Sequence, residues 1–319
     1  MVSRTLSVSK PKVAKRKQPE LIRNAPAYAM CIPSLLYFLL FSYIPMAGIV
    51  LVFKDYNVVD GIFGSPWTEP WYNNFRFFFS SSRVLEVTCN TLILNLFFLV
   101  TSLVCQMGLA ILLNELRISS IKKLSQSIVF LPYFMSWVVV GGIVYSFFSN
   151  EYGVVNSTLR SLGMEPVKWY QSPQYWRTIL IIAHIWKWTG YGSVIYMAAI
   201  MGIDPTLYES ATIDGANRFK QAWLITVPLL KPTAVILVLM SIGRIFFGDF
   251  GMVYGIARDN GIILENIEVI DTYVYRSMRV TGDFSLSTAI GMYQSFMGLV
   301  LLTLANWVAK KINDGTGLF

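Results

Sequence analysis

Six stretches of this chain stay apolar for as long as a membrane is thick. They run roughly over residues 27–53, 90–113, 127–148, 178–201, 233–256 and 287–309. The hydrocarbon core of a bilayer takes about 20 apolar residues per helix. Inside lipid, a backbone satisfies its N–H and C=O groups only as a helix or a closed barrel. Barrel strands are about ten residues of alternating polarity, whereas these stretches are continuously apolar. The expected fold class is an all-α membrane protein with six transmembrane helices. Composition agrees: 14% of the 319 residues are charged, where a soluble domain carries about a quarter.

The ends set the orientation. Seven bases fall in the first 24 residues: Arg4, Lys10, Lys12, Lys15, Arg16, Lys17 and Arg23. A basic start ahead of an apolar run is also the plan of a signal peptide. The run after Asn24 exceeds the ~7–15 residues of a signal, and no small-residue cleavage site stands out. The expectation is an uncleaved first span behind a cytoplasmic tail, residues 1–24, disordered or lying on anionic lipid. Nucleic acid is the less fitting partner for it. With that tail inside, 15 Lys and Arg residues are cytoplasmic and 9 external, so both termini are expected to be cytoplasmic. Without the tail the balance disappears, so the tail decides the orientation. The last residues, 311–319, then form a second cytoplasmic tail.

The connecting segments suggest surfaces rather than chemistry. The external loop 54–88 is rich in aromatics, with Trp67, Trp71, Tyr72 and the run Phe75 to Phe79. These form either an interfacial belt or a short amphipathic helix packed on a partner. In the loop 149–177, Val154, Val155, Leu159 and Leu162 suit a short surface helix ending at Gly163. The loop 257–286 carries Asp259, Glu265, Glu268, Asp271 and Asp283, an acidic face on which a soluble partner could dock. Pro33 and Pro45 are expected to kink the first span. No Gly/Pro-broken pair of helices in matching positions, the mark of many secondary transporters, is evident. The cysteines, Cys31, Cys89 and Cys105, lie in or beside spans with no pairing or metal spacing, and His184 is the one histidine. No metal site and no catalytic constellation are expected.

The polar stretch "YESATIDGANRFKQAW", from Tyr208 to Trp223, is too long and too helical for a turn. Asp204 and Pro205 make a helix start. A short helix over Pro205–Asp214 should break at Gly215, which takes left-handed geometry cheaply. A second, about Ala216–Thr226, should run back and end before Pro228 and Pro232. A merely amphipathic loop on the lipid surface is the plainer reading. The spacing goes further. Glu209-Ser210-Ala211, three residues, Gly215, nine residues and Ile225-Thr226-Val227-Pro228 together resemble the EAA loop of permease subunits of ATP-driven (ABC) importers. That family has Glu-Ala-Ala, three residues, Gly, nine residues, Ile-x-Leu-Pro; here Ser210 replaces Ala and Val227 replaces Leu.

The segments "FLPYFMSWVVVGGIVY", "IWKWTGYGSVIYMAAIMGIDPTLYESATIDGAN" and "IDTYVYR" extend the resemblance to about residues 25–310. They are similar to the maltose-type, binding-protein-dependent carbohydrate-uptake branch, in particular its oligosaccharide and polysaccharide permeases. The resemblance implies a type I ABC importer permease fold over 25–310, with a coupling loop at 202–231. It implies that Glu209, Ala211, Asp214, Gly215 and Ala216 lie at the contact with an ATPase. It implies four partners besides lipid: a second homologous permease subunit, an ATPase dimer, an extracytoplasmic solute-binding protein and an oligosaccharide. It implies a multi-pass protein of the bacterial cytoplasmic membrane. The chain has no Walker A motif, so ATP and Mg are expected on the partner ATPase and no enzymatic activity here.

Ionisable groups inside spans are costly and therefore suggestive. His184, Trp188 and Tyr191 share a helical face, an aromatic and polar stripe suited to a sugar. Trp186 and Lys187 sit on other faces and suit packing. Arg244 falls about a dozen residues into the fifth stretch. It could pair with Asp249, or face a cavity and meet the carboxylate of an acidic sugar. Gly243, Phe247 and Gly248 beside it leave room for a ligand. Ser136, Tyr293 and Gln294 are further substrate-path candidates. Arg244 and His184 together point to uronate-containing oligosaccharides, such as alginate- or pectin-derived ones. A permease for neutral oligosaccharides and a self-sufficient ion-coupled carrier are the alternatives.

Overall fold

The computed structural model describes residues 24–312, apart from the side chains of residues 77–79, 281 and 312. The basic tail up to residue 23 and residues 313–319 of the second tail lie outside the described residues. The chain divides into two compact units, residues 1–50 and 51–319. The first helical run is α1 (Ala25–Phe53), apolar throughout and of 3-10 type from Ile44. The rest forms α2 (Asn73–Ser80), α3 (Ser82–Glu115), α4 (Ser119–Phe130), α5 (Trp137–Phe148), α6 (Val154–Ser161) and α7 (Trp176–Met201). Then follow α8 (Pro205–Ile213), α9 (Arg218–Gln221), α10 (Val227–Ile242), α11 (Phe250–Ala257), α12 (Gly261–Ile267), α13 (Ile270–Thr281) and α14 (Phe284–Ile312). Among the described residues the one extended pairing is an isolated bridge between Lys54 and Trp67.

Six unbroken spans are not what forms. Among the described residues three helices, α1, α3 and α14, are long and apolar enough to cross a membrane, or up to five spans if two bent pairs each count as one. The third predicted stretch bends by 99° between Phe134 and Trp137. The fifth ends as a helix at Ile242 and resumes only at Phe250. Over the fourth, α7 is 26 residues long but carries Arg177 and Lys187.

Prolines account for the other irregularities; none lies in the break at 243–249. Pro132 begins a 3-10 turn over Leu131–Phe134, because it has no N–H to extend α4. Ser136 then starts α5, its Oγ accepting from the Val139 N–H at 3.3 Å. The bend frees carbonyls in an apolar layer, and Lys187 gathers them. Its Nζ donates to Tyr133 O at 2.9 Å, to Pro132 O at 3.3 Å and to Met135 O. Its packing role, expected from its helical face, therefore has a definite form: it fastens the bend from α7. Two other prolines leave the helix running. A π turn over Leu39–Tyr43 precedes Pro45, and one over Ala222–Thr226 precedes Pro228. Each is centred on the carbonyl four residues before its proline, the one the ring would strike; the wider turn absorbs that clash. Accordingly, the helix expected to stop before Pro228 continues through it into α10, with a 56° bend between Leu229 and Lys231.

Small residues let backbones meet. A Cβ on Gly190 of α7 would collide with the Val129 carbonyl of α4, and one on Gly141 of α5 with the Gly255 carbonyl of α11. Such contacts favour close helix crossings where hydrophobicity gives no drive. The main core joins α3, α5, α7, α11 and α12 through Leu94, Val140, Leu180, Met252 and Ile263. Fully buried Trp176 closes it toward the loop 149–177, its Nε1 donating to Trp169 O at 2.8 Å. The surface helix expected in that loop is α6, with Gly163 at φ 74° just past its end. Its Asn156 is fully buried, accepting from the Val167 N–H and Trp169 Nε1.

Of the five acids of the loop 257–286, Asp259 and Glu265 are exposed, and the other three are engaged within the protein. Glu268 is 0% exposed, pairing with Arg83 at 2.7 Å and Arg276 at 2.8 Å. Asp271 is turned to the protein, and Asp283 caps α14 through the Leu286 N–H at 2.8 Å. In the aromatic loop, Trp67, Trp71 and Tyr72 are exposed. The short helix expected there is α2, which packs along α14.

Lys187→Met is expected to lower the midpoint of thermal unfolding of the purified assembly. It removes charge-assisted hydrogen bonds worth about 1.5–3 kcal/mol each. An unchanged midpoint would show that the bend does not depend on this side chain.

Candidate functional site

Two polar features stand out, a hairpin and a cavity, and α10 links them. The hairpin is α8–Gly215–α9. Asp204 caps α8, its Oδ1 accepting from the Thr206 N–H at 3.0 Å, and this bond holds the Asp204 carboxyl below its ordinary range. Gly215 ends α8 at φ 76°. The Gly215 N–H donates to Thr212 O at 3.1 Å and the Ala216 N–H to Ala211 O at 2.8 Å, the paired bonds of a Schellman turn. Asn217 caps α9 through the Lys220 N–H at 2.9 Å.

The two arms are pinned to each other. Buried Gln221 donates to Thr212 Oγ1 at 2.8 Å and to Ala216 O at 3.1 Å, while Tyr208 and Thr226 share a hydroxyl hydrogen bond at 2.9 Å. Arg218 reaches Glu115 at the end of α3, at 3.4 Å. Glu209, Asp214 and Gly215 are exposed, and Ala211 and Ala216 half-buried. Sequence spacing located the turn; the pins Gln221 and Tyr208–Thr226 are tertiary and carry no local signal.

The cavity, of about 630 Å³, lies between α3, α7, α10 and the break after it. It brings together six of the nine predicted path residues: His184, Trp188, Tyr191, Arg244, Phe247 and Asp249. The His184 ring stacks on Phe98 at 4.1 Å and its Nε2 meets Ser102 Oγ at 3.3 Å. Tyr191 stacks on Tyr133 at 4.2 Å, with Trp188 edge-on to both. The wall therefore offers ring faces over more than one helical turn. Asn95, Ser102, Gln106 and Trp137 also line it. Only the fold assembles these four, since they come from segments that look like ordinary span.

Arg244 is not inside a helix, as its position in the fifth stretch suggested, but in the break that follows Ile242. There it is exposed to the cavity. The pairing with Asp249 does not form. Asp249 caps α11, its Oδ1 accepting from the Met252 N–H at 2.9 Å. Among the described residues no carboxylate forms an ion pair with Arg244; Asp271 acts on it from farther off.

Non-helical backbone is tolerated at membrane depth only where protein or a cavity receives its polar groups, and here protein does. Asn95 Nδ2 donates to Ile245 O at 2.8 Å and Phe247 O at 3.0 Å. Gln294 Nε2 donates to Phe246 O at 2.9 Å and to Asp271 Oδ2 at 3.1 Å. Asp271 Oδ2 also accepts from the Gly248 N–H at 2.5 Å.

The other three path candidates lie elsewhere. Gln294 is buried behind the break as one of its supports, and Tyr293 packs edge-on against Phe246 at 5.9 Å. Ser136 serves as the cap of α5. Among the described residues no group of three His, Cys, Asp or Glu side chains could hold a metal.

Residues 106–314 match the family of binding-protein-dependent transport system inner membrane components. The chain is 37% identical over 300 residues to the polygalacturonan/rhamnogalacturonan transport system permease protein YteP of Bacillus subtilis, covering 94% of this chain and 92% of the relative. It is 36% identical over 299 residues to the protein LplB of the same organism, with the same coverage. Among solved structures it is similar to a chain of the bacterial alginate ABC transporter in complex with alginate pentasaccharide-bound periplasmic protein. There the TM-score is 0.84 at 32% identity, over 95% of this chain and 100% of that one.

Asn95→Leu and Gln294→Leu each remove the donor. Each orphaned carbonyl should cost about 1–3 kcal/mol, and amide exchange over residues 243–249 should quicken relative to α3. Unchanged exchange in both variants would mean the break is held by other contacts.

Proposed function

The chain belongs to the family of inner membrane components of binding-protein-dependent transport systems, as an oligosaccharide ABC importer permease, and we propose that its substrates are acidic. It is a transport subunit, not an enzyme, and membership of this family sets the ion-coupled carrier aside. In our reading a second homologous permease completes the pathway in the bacterial cytoplasmic membrane. Both termini are cytoplasmic, with six passages of the chain through the bilayer. An ATPase dimer, which binds ATP and Mg, docks at Glu209, Ala211, Asp214, Gly215 and Ala216, and a solute-binding protein delivers the sugar from outside.

The observation that carries the acidic reading is Arg244. An exposed guanidinium on a cavity wall at membrane depth, with no ion-pair partner among the described residues, is costly unless a ligand anion meets it. The rings of His184, Trp188 and Tyr191 supply apolar faces for sugar C–H groups. The names of the relatives, one for polygalacturonan and rhamnogalacturonan and one for alginate, support the same class. A relative named for lactose is 32% identical over 209 residues, which keeps neutral oligosaccharides as the second reading.

The mechanism follows from the linkage. Closure of the ATPase pulls the pinned hairpin, and the α9–α10 run carries that displacement to the break bearing Arg244. A rigid-body rocking of this kind opens the cavity to one side at a time.

ATP hydrolysis by the reconstituted importer should be stimulated more by oligogalacturonate or oligoalginate than by neutral oligosaccharides of equal length. Arg244→Ala should reduce stimulation by the acidic series at least about tenfold, the worth of one charge-assisted contact. Equal loss for neutral sugars would sink the carboxylate role. Gly215→Trp should uncouple hydrolysis from uptake while sparing affinity for the solute-binding protein; retained coupling would remove the hairpin from the mechanism.

A further inference from the structure

A second cleft, of about 280 Å³, lies among the residues that follow α11 and those of α13. Its walls carry Arg258, Arg276 and Arg279, with Tyr254 and Tyr275 between them. The charge there is unbalanced. Glu268 is fully buried and already shared by Arg83 and Arg276. Asp259 is the one other carboxylate lining the cleft. Arg279 is exposed, and its guanidinium donates to the Tyr254 and Tyr275 hydroxyls at 3.3 and 3.5 Å. Those bonds set its orientation without neutralising it.

Arg258 adds an independent observation. It is the one non-glycine residue with positive φ among the described residues, at 52°. An L side chain held there is strained, and such strain gathers at binding sites. Glycine would take this backbone more easily, so folding alone does not explain an exposed arginine at this position.

The aromatic rings join this cleft to the cavity. Tyr254 and Tyr275 meet edge to face at 5.3 Å. Tyr254 also stacks on Phe250 at 5.2 Å and 10°, and Phe250 lines the cavity that holds Arg244. Rings beside guanidinium groups are the combination that receives a uronate, with stacking for its apolar face and a fork of donors for its carboxylate. The volume falls just below the ~300–1,000 Å³ of sites for larger ligands, so it suits a single sugar unit.

We infer that this cleft is an outer receiving site for one uronate unit, held by Arg258 and Arg279 against Tyr254 and Tyr275, from which the sugar passes along Phe250 to the cavity. The inference rests on the acidic reading above and adds a site to it. The shared chemistry is a carboxylate, which a free sugar or a side chain of the docked solute-binding protein could provide; the sugar is the source proposed.

The test uses the complete importer in lipid nanodiscs without the solute-binding protein, titrated with trigalacturonate and with its methyl ester, which lacks the charge. Three variants are compared. Arg258→Gly removes the guanidinium and relieves the strained backbone, so its thermal midpoint should match or exceed that of the parent. Arg279→Gln removes an exposed charge. Arg244→Gln probes the cavity. Arg276 is left in place because its loss would strand buried Glu268.

Trigalacturonate should bind at least about tenfold tighter than its ester, and Arg258→Gly and Arg279→Gln should each lose about tenfold. In an Arg244→Gln background, which removes the cavity's own carboxylate contact, Arg258→Gly and Arg279→Gln should still each cost about tenfold. Equal affinity for the ester, no saturable binding, or a loss that follows Arg244 alone would overturn the outer site. So would a pair of variants that bind the sugar normally and lose only affinity for the solute-binding protein. Uptake by the parent importer separates the two proposals. If uptake favours acidic sugars while the variants bind normally, only the outer site falls; if uptake shows no preference for acids, the acidic reading has fallen first.

Discussion

In hydrocarbon a peptide group has no solvent to fall back on, and the irregular parts of this protein are arranged around that fact. Two places leave the helix ladder within otherwise apolar sequence: the bend after Phe130 and the break after Ile242. Each has dedicated donors or acceptors from other helices. Lys187 of α7 serves the carbonyls of the bend. Asn95 of α3, Gln294 of α14 and Asp271 of α13 serve the break. The ionisable and amide groups that lipid makes expensive are here largely spent on backbone. Arg244 stands apart because no carboxylate among the described residues forms an ion pair with it.

That division explains how the cavity wall is built. Gln294 and Asp271 satisfy the break from behind it, while Asn95 does so from the cavity wall. The residues it exposes, Arg244 and Phe247, face inward with the rings of α7. A continuous helix over 233–256 could not do this: residues 244 and 249 would point in different directions, and neither would sit on a corner. With the helix stopped, Asp249 turns to cap α11 and Arg244 is left on the wall. One interruption thus sets both the shape of the cavity and its charge.

The hairpin was the most legible part of the chain because its signals are local. A capping Asp204, a proline at the first helical position and a glycine that must be left-handed are read from neighbours in sequence. The stripe of His184, Trp188 and Tyr191 was legible for a similar reason, since a helical period alone places it. The breaks were not, because 127–148 and 233–256 are interrupted by no polar stretch of loop length, and hydrophobicity reports depth rather than direction. Pro132 marked one of them, but Pro228 sits in a helix that continues, and only the preceding π turn separates the two outcomes. The acidic loop misled because charge in sequence looks exposed, whereas Glu268 is held between two arginines and Asp271 is tied to the Gly248 amide. Gln294 and Ser136 read in sequence as substrate-path candidates, whereas in the structure Gln294 donates to the Phe246 carbonyl and Ser136 caps α5, partners that depend on what lies across from each side chain.

The helical run through α9 and α10 has one further consequence. It begins at the pinned hairpin and ends at the corner that carries Arg244, with a widened turn and a bend between. An element shared by two sites cannot respond to one without altering the other, since coupling free energies between equilibrium binding sites are reciprocal. Whatever grips the hairpin more tightly in one arrangement of this run must do so more tightly still when the cavity ligand prefers that same arrangement. On the proposed function, occupancy of the cavity would then be felt as a change in affinity at the hairpin, even with no nucleotide present.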